Sequence, residues 1–177
     1  MKKAPTLTLA FLLSMAMGAG AFAQPARVLT GTGLKKLGIF LGTWRAESTI
    51  DSTHKDKIFA TYTCQWSPNG AYLIADQLVN INGKETNNLF IYNYNADQDD
   101  YTLSPVGIPG MKPFTVPVSY DGDTLFYKSE YTDNGKKMYS RTLNVFTGLS
   151  SYFYKIQFSD DGVHWRTDGE GKAVKLR

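Results

Sequence analysis

Most of the chain alternates apolar and polar residues with a period of two, the pattern of strands that bury one face and expose the other. The alternation is regular at residues 43–50, 58–66, 114–120, 125–131, 138–146 and 152–158. Asn-Gly steps at residues 82–83 and 134–135 are strong signals for tight hairpins. With shorter runs at residues 71–79, 89–94, 101–106, 163–166 and 172–177, we predict about nine to eleven strands. The pattern therefore indicates an all-β chain, an antiparallel up-and-down barrel or a sandwich.

A helical period precedes the first predicted strand. Leu34, Leu37 and Leu41 recur at i, i+3 and i+7, which places them on one face of a short α-helical or 3₁₀ turn. The pattern switches to alternation at Trp44, and one face of the first strand then carries Trp44, Ala46, Ser48 and Ile50. We therefore predict an apolar plug that leads directly into the first strand, with Trp44 inside against Leu37 and Leu41.

Two short motifs lie at the two ends of the predicted sheet. Gly-x-Trp opens the first strand, and Asp-Gly-x-x-Trp precedes a final basic strand; the motif residues are Gly42, Trp44, Asp161, Gly162, Trp165 and Arg177. Together they resemble the lipocalin-like, or calycin, superfamily, and in particular secreted bacterial lipocalin-like domains of unknown function. The resemblance implies an antiparallel up-and-down β-barrel with a short N-terminal helical plug. It also implies a basic side chain packed over Trp44, for which Arg177 and Lys175 are the candidates.

The late motif also has an interpretation from its residues alone. A carboxylate such as that of Asp161 can accept hydrogen bonds from the backbone of its own turn, and Gly162 can adopt a positive φ without steric cost. We expect Trp165 to pack beneath this turn. These residues are therefore predicted to be structural.

The N-terminal residues predict export from the cytoplasm. Lys2 and Lys3 precede an apolar run at residues 7–17 and a small-x-small cleavage site at residues 21–23, as in a secretory signal peptide. We expect cleavage after residue 23, an extended lead-in at residues 24–33, a single domain at residues 34–177, and a periplasmic or secreted location. The single cysteine, Cys64, lies far from the signal region, which argues against lipid attachment and a membrane anchor. Its place in an alternating strand predicts a buried, inert thiol.

The charge balance argues against polyanionic partners. The 19 basic residues include Lys2 and Lys3, so the mature chain would carry 17 against 16 acidic residues, and its net charge would fall from +3 to +1. The basic residues are scattered singly between acids, which is not the pattern of a nucleic-acid-binding or anionic membrane-binding surface. We expect a monomer with no nucleic-acid partner.

Motifs for metal binding and catalysis are sparse. His54 and His164 are the only histidines, and no cysteine or acidic cluster at ligand spacing accompanies them. Residues 95–100 resemble the start of a calcium loop, but Asp100 replaces the required glycine and Val106 the bidentate glutamate, so we interpret them as a solvated turn. No nucleophile or phosphate-loop motif occurs. We therefore predict no metal, no cofactor and no catalytic residue set.

A group of polar residues shares the predicted inward faces. If the faces that carry Leu125 and Met138 point inward, they bring along polar groups that a solid core would leave without hydrogen-bond partners. The predicted ligand-binding residues are Tyr62, Asp76, Tyr127, Ser129, Ser140, Thr142, Asn144 and Tyr154, with Tyr131 on the same face. A lumen filled by water or ligand would solvate them. The alternative is that they face outward, or bond to one another and to the backbone. Either face of the strand that carries Asp76 could point inward.

The loop at residues 107–113 is rich in Gly and Pro and carries Ile108 and Met111, so we predict a mobile flap at the barrel mouth that contributes these two side chains to ligand binding. The leading functional hypothesis is a carrier that binds a small apolar or amphipathic molecule in the lumen. One alternative is an enzyme with Asp76 as general base and a tyrosine as acid. Another is a filled barrel whose surface binds another protein.

Overall fold

The structure is a computed structural model that describes residues 29, 31–50, 57–106 and 114–177. It contains one 3₁₀ helix and ten strands within these residues. The 3₁₀ helix spans Gly33–Phe40. The strands are β1 (Gly42–Ile50), β2 (Lys57–Trp66), β3 (Leu73–Ile81), β4 (Lys84–Asn95), β5 (Asp100–Val106), β6 (Val116–Asp121), β7 (Thr124–Asp133), β8 (Lys136–Gly148), β9 (Ser151–Ser159) and β10 (Arg166–Lys175). No helix among the described residues has the length and apolarity needed to cross a membrane.

The ten strands form a closed antiparallel barrel. Each strand pairs with its neighbours in the sequence, and β1 closes the sheet by pairing with β10, so that Trp44 lies opposite Lys175 and Ala46 opposite Ala173. The predicted up-and-down barrel with a short N-terminal helical plug is therefore confirmed. Short hairpins account for the consecutive pairing, since antiparallel neighbours need only a tight turn between them.

The last strand differs from the prediction. We predicted two segments, at residues 163–166 and 172–177, whereas β10 is one strand, Arg166–Lys175, with a register shift between Thr167 and Gly169. Gly169 and Gly171 interrupt the apolar alternation, which hid the strand in the sequence. Gly171 fits because a Cβ at this position would collide with the backbone carbonyl of Glu47 on β1.

The 3₁₀ helix closes one end of the barrel. Leu37 and Phe40 are buried, and the Phe40 ring lies 5.4–6.3 Å from the rings of Phe146, Tyr92 and Tyr152, measured between centroids. We predicted that Leu41 would share the buried face with Leu37. Leu41, which follows the helix, is half-buried and packs against the core. The fully buried partner of Leu37 is Phe40, because a 3₁₀ helix has three residues per turn and so repeats its face at intervals of three.

Trp44 is fully buried at this closed end, as predicted. Its indole Nε1 donates a hydrogen bond of 2.8 Å to the backbone oxygen of Phe40, which ties β1 to the end of the 3₁₀ helix. The Lys175 ammonium lies 5.4 Å from the centre of the indole. Of the two basic candidates, Lys175 therefore covers the tryptophan.

Arg177, the other candidate, does not cover Trp44 and contributes through its backbone instead. Its carbonyl oxygen accepts a hydrogen bond of 2.9 Å from the Thr43 amide, and its side chain is exposed. Gly42 makes this approach possible: it has a φ of +101°, and a Cβ there would collide with the Arg177 carbonyl oxygen. The structural importance of Gly42 thus comes from backbone geometry.

The turn between β9 and β10 has the predicted form. Asp161 Oδ1 accepts hydrogen bonds of 2.8 Å from the backbone amides of Val163 and His164, and Gly162 has a φ of +75°. The His164 ring, 2.6 Å from Asp161 Oδ2, holds the pKa of that carboxyl below its usual range, and the carboxylate raises the pKa of His164 in return. Trp165 is half-buried, with the Arg141 guanidinium 4.0 Å from its ring centre.

Candidate ligand-binding cavity

The inward-facing side chains of the barrel line a cavity of about 410 Å³. Its floor is aromatic and lies against the 3₁₀ helix; the floor residues are Phe40, Tyr62, Tyr92, Tyr127 and Tyr152. The apolar wall comes from β4, β5 and β6, with Phe114 just before β6, and consists of Phe90, Leu103, Pro105, Phe114 and Val116. Next to it, the polar wall comes from β7 and β8 and consists of Ser129, Ser140, Thr142 and Asn144. Cys64, Ala75, Gln77 and Ile156 complete the lining. The cavity therefore has an amphipathic surface.

The four floor tyrosines form two hydroxyl pairs. The Tyr62 hydroxyl bonds to that of Tyr152, and the Tyr92 hydroxyl lies 2.8 Å from that of Tyr127. Burial raises the pKa of all four phenols above the ordinary value, because the charged phenolate would be taken out of water. These tyrosines are therefore neutral hydrogen-bonding groups at ordinary pH.

The polar wall is formed by two neighbouring strands whose alternate residues point inward. Ser129 and Ser140 are opposite each other in the register of β7 and β8, and their hydroxyl oxygens are 2.6 Å apart. Asn144 is buried and donates from Nδ2 to the Tyr127 hydroxyl over 3.5 Å. The Thr142 hydroxyl makes no hydrogen bond to another described residue. The wall thus offers hydrogen-bonding groups to the cavity.

The structure brings most of the predicted binding residues together. Six of them line the cavity: Tyr62, Tyr127, Ser129, Ser140, Thr142 and Asn144. Tyr154 packs against the core, half-buried, and its hydroxyl lies close to the position that a Gly171 side chain would occupy, but it does not line the cavity. Ile108, Met111 and the proposed flap at residues 107–113 lie outside the described residues, so their role stays a prediction.

The placement of Asp76 in the lumen is wrong. Leu73 and Ala75 are 0% and 5% exposed, so the odd-numbered face of β3 points inward and Asp76 is exposed on the outer face. Both faces of this strand carry apolar residues, and a shift of one residue moves every side chain to the opposite face. Gln77, which the sequence reasoning missed, takes the place in the cavity that we predicted for Asp76.

Cys64 is buried, as predicted, at 4% exposure. Sequence reasoning missed that it also lines the cavity, although its alternation with Tyr62 was the available signal. Burial raises the pKa of the thiol to about 12, an effect that the positive charge of Lys175 opposes without cancelling. Cys64 is therefore a weak nucleophile.

The cavity lining carries no charge: none of the described residues around it is acidic or basic. Nor does any group of three or more His, Cys, Asp or Glu side chains come together in the described part of the chain at a spacing that could hold a metal ion. The lining residues offer a ligand apolar contact and neutral hydrogen bonds.

Comparison with known proteins adds little to this geometry. No protein-family model matches the sequence, and no curated protein matches it. Among solved structures, the chain is similar to one titled "Structure of EF1p2_mFAP2b bound to DFHBI", with a TM-score of 0.39 and 9% identity. The match covers 78% of this chain and 95% of that chain. The description of the barrel and its cavity rests on the strand pairing and the lining residues above.

Proposed function

We propose that the barrel binds a small apolar or amphipathic molecule in its cavity and acts as a carrier. The observation that supports this most is the uncharged cavity lined by an apolar wall and a polar wall. Its volume of about 410 Å³ lies within the ~300–1,000 Å³ range of small-molecule sites and corresponds to roughly 14 water molecules at ~30 Å³ each. Releasing those waters from the aromatic floor and the apolar wall would favour binding of an apolar molecule.

The competing hypotheses have less support. The enzyme hypothesis needs a general base in the cavity, but Asp76 lies on the outer face of β3. The floor tyrosines are poor acids, because burial raises their pKa. The hypothesis of a filled barrel is opposed by the cavity itself.

We also propose that the protein is exported to the periplasm or beyond and is a monomer. Lys2, Lys3, the apolar run and the small-x-small site at residues 21–23 support cleavage after residue 23. Intact mass measurement of the protein from its own host should find an N-terminus at Gln24. A chain that retains residues 1–23 in the cytoplasmic fraction would refute the export proposal.

The binding proposal can be tested with N-phenyl-1-naphthylamine, an uncharged probe whose fluorescence rises in apolar surroundings. We expect saturable binding with one site per chain. Ala75→Phe should abolish it, because Ala75 lines the cavity and the larger ring would occupy the lumen. Leu78→Phe is the matched control, since Leu78 is 41% exposed on the outer face of the same strand.

Equal probe binding by Ala75→Phe, Leu78→Phe and the parent protein would place the probe outside the cavity and refute the proposal. Melting temperatures of both variants would establish that each is folded. Native mass spectrometry of protein purified from its own host should further show a co-purifying small molecule in the parent that Ala75→Phe lacks.

A further inference from the structure

We propose that the ligand is uncharged and carries an oxygen atom that accepts hydrogen bonds from the polar wall. This inference rests on the proposed function, and it specifies the chemical class of the bound molecule: ketones, esters, ethers and similar compounds with an apolar body. Carboxylates and amines that are charged at neutral pH are excluded.

The uncharged lining of the cavity supports the first part of the proposal, that the ligand is uncharged. A carboxylate in the lumen would leave water without meeting a cation, because no described lining residue is charged, and an ammonium group would likewise meet no carboxylate. Lys175 lies outside the lining, over the Trp44 ring, and its positive charge acts on Cys64. Cys64 shows how far that influence goes: its thiolate is still disfavoured despite Lys175. Negative charge at this part of the cavity lining is thus destabilised overall.

A count of hydrogen-bond donors on the polar wall supports the second part of the proposal, that the ligand carries an oxygen that accepts hydrogen bonds. Ser129 and Ser140 have two hydroxyl protons but share one hydrogen bond, so one proton remains to donate. Thr142 has a further proton with no partner among the described residues. Water can accept from these donors when the cavity is empty of ligand. A ligand that displaces the water must supply an acceptor, or binding weakens by roughly tenfold for each donor left unpaired.

The two walls together set the orientation of the ligand. The apolar wall contains no side-chain hydrogen-bonding group, whereas the polar wall on β7 and β8, which adjoins it through the pairing of β6 with β7, carries several. A molecule with an apolar body and one oxygen therefore places its body against Phe90, Leu103 and Phe114 and its oxygen toward Thr142. A purely apolar molecule would contact the apolar wall but leave the donors of the polar wall without an acceptor.

The test is displacement of bound N-phenyl-1-naphthylamine at pH 7.5 by three compounds of equal chain length: decan-2-one, decanoate and decylammonium. We expect decan-2-one to displace the probe, and both charged compounds to need concentrations higher by about tenfold or more for the same displacement. Equal displacement by decanoate would overturn the charge argument while leaving the proposed function intact. Failure of the probe to bind the parent protein would instead refute the proposed function, and this inference with it.

Two variants test the orientation. Thr142→Val removes the hydroxyl while keeping the shape of the side chain, and the Ser129→Ala/Ser140→Ala double variant removes the spare proton of the serine pair if the first variant does not fold. Either should weaken the binding of decan-2-one by about fivefold to tenfold. Neither should weaken the binding of the probe, which has no oxygen to accept from these donors and should bind equally well or more tightly when a donor is removed. Thr61→Val, on the exposed face of β2, is the matched control. Unchanged affinity for decan-2-one in a folded polar-wall variant would overturn the proposed contact.

Discussion

Replacement of Trp44 tests the packing at the closed end of the barrel. The indole is fully buried, stacked on Tyr62 with ring centres 6.2 Å apart, and tilted against Tyr152 at 5.4 Å. Its Nε1 donates to the Phe40 carbonyl oxygen, and the Lys175 ammonium lies over the ring. The side chain thus joins the 3₁₀ helix, β1, β2, β9 and β10.

The expected cost follows from these contacts. Trp44→Ala deletes a fully buried aromatic ring and should lower the free energy of unfolding by ~3–5 kcal/mol. At ~2–4 °C per kcal/mol for a chain of this size, the melting temperature should fall by about 6–20 °C. Trp44→Phe keeps most of the ring contacts but leaves the Phe40 carbonyl oxygen without this donor, so it should cost about 1–3 kcal/mol.

The measurement is urea unfolding, followed by circular dichroism, of the parent, both Trp44 variants and a Trp165→Phe control. Trp165 is half-buried and makes its ring contact with Arg141, so its replacement should cost less than ~1 kcal/mol. A Trp44→Ala variant as stable as the Trp165→Phe control would show that the closed end does not depend on this ring. That result would refute the packing argument for the plug.

Four further predictions concern Cys64, the Asp161–His164 pair and Gly42. Cys64, which is 4% exposed and whose pKa burial raises to about 12, should react with a thiol reagent only after unfolding; rapid stoichiometric labelling of the native protein would contradict this. Asp161→Asn should lower the pKa of His164 toward ~6.5 in an NMR titration, and an unchanged pKa would show that the pair does not interact. Asp161 stabilises the fold at pH values above its ordinary pKa of ~4, and this stabilisation is lost as the pH falls through its lowered pKa. His164 stabilises the fold below its ordinary pKa of ~6.5, and this stabilisation is lost as the pH rises through its raised pKa. The pair should therefore stabilise the fold most between about pH 4 and 6.5. Gly42→Ala should destabilise the protein by ~1–3 kcal/mol or more in urea unfolding. Deleting Arg177 should recover part of this loss, because it removes the collision of the new Cβ with the Arg177 backbone oxygen but leaves the strain of the positive φ. A neutral effect of Gly42→Ala would contradict the described backbone.

Much of the fold could be predicted because its information is local. Period-two alternation identifies strands, Asn-Gly steps identify hairpins, and a chain of hairpins pairs each strand with the next. The change of period before Trp44 likewise identified the plug and its buried tryptophan. In β7 and β8 the inward face was also predictable, since Leu125 and Asn144 lie on faces that alternate cleanly.

The candidate site was predicted less completely, and β3 shows why. Both of its faces carry apolar residues, so the choice between Asp76 and Gln77 depends on how the strand is registered against its neighbours. In the barrel, Ala75 pairs with Cys64 and Phe90, and these three inward residues place Gln77 in the cavity. No pattern within β3 alone contains this information.

The sequence by itself therefore determined the strand periods, the hairpin order and the buried plug, because each depends on residues close together in the chain. Tertiary structure alone decided the pairing of β1 with β10, the choice of Lys175 rather than Arg177 over Trp44, and the cavity lined by the two walls. Each of these depends on distant segments that meet only when the barrel closes. The space left inside is set by how all the inward side chains pack together, so it could not be found from any one strand.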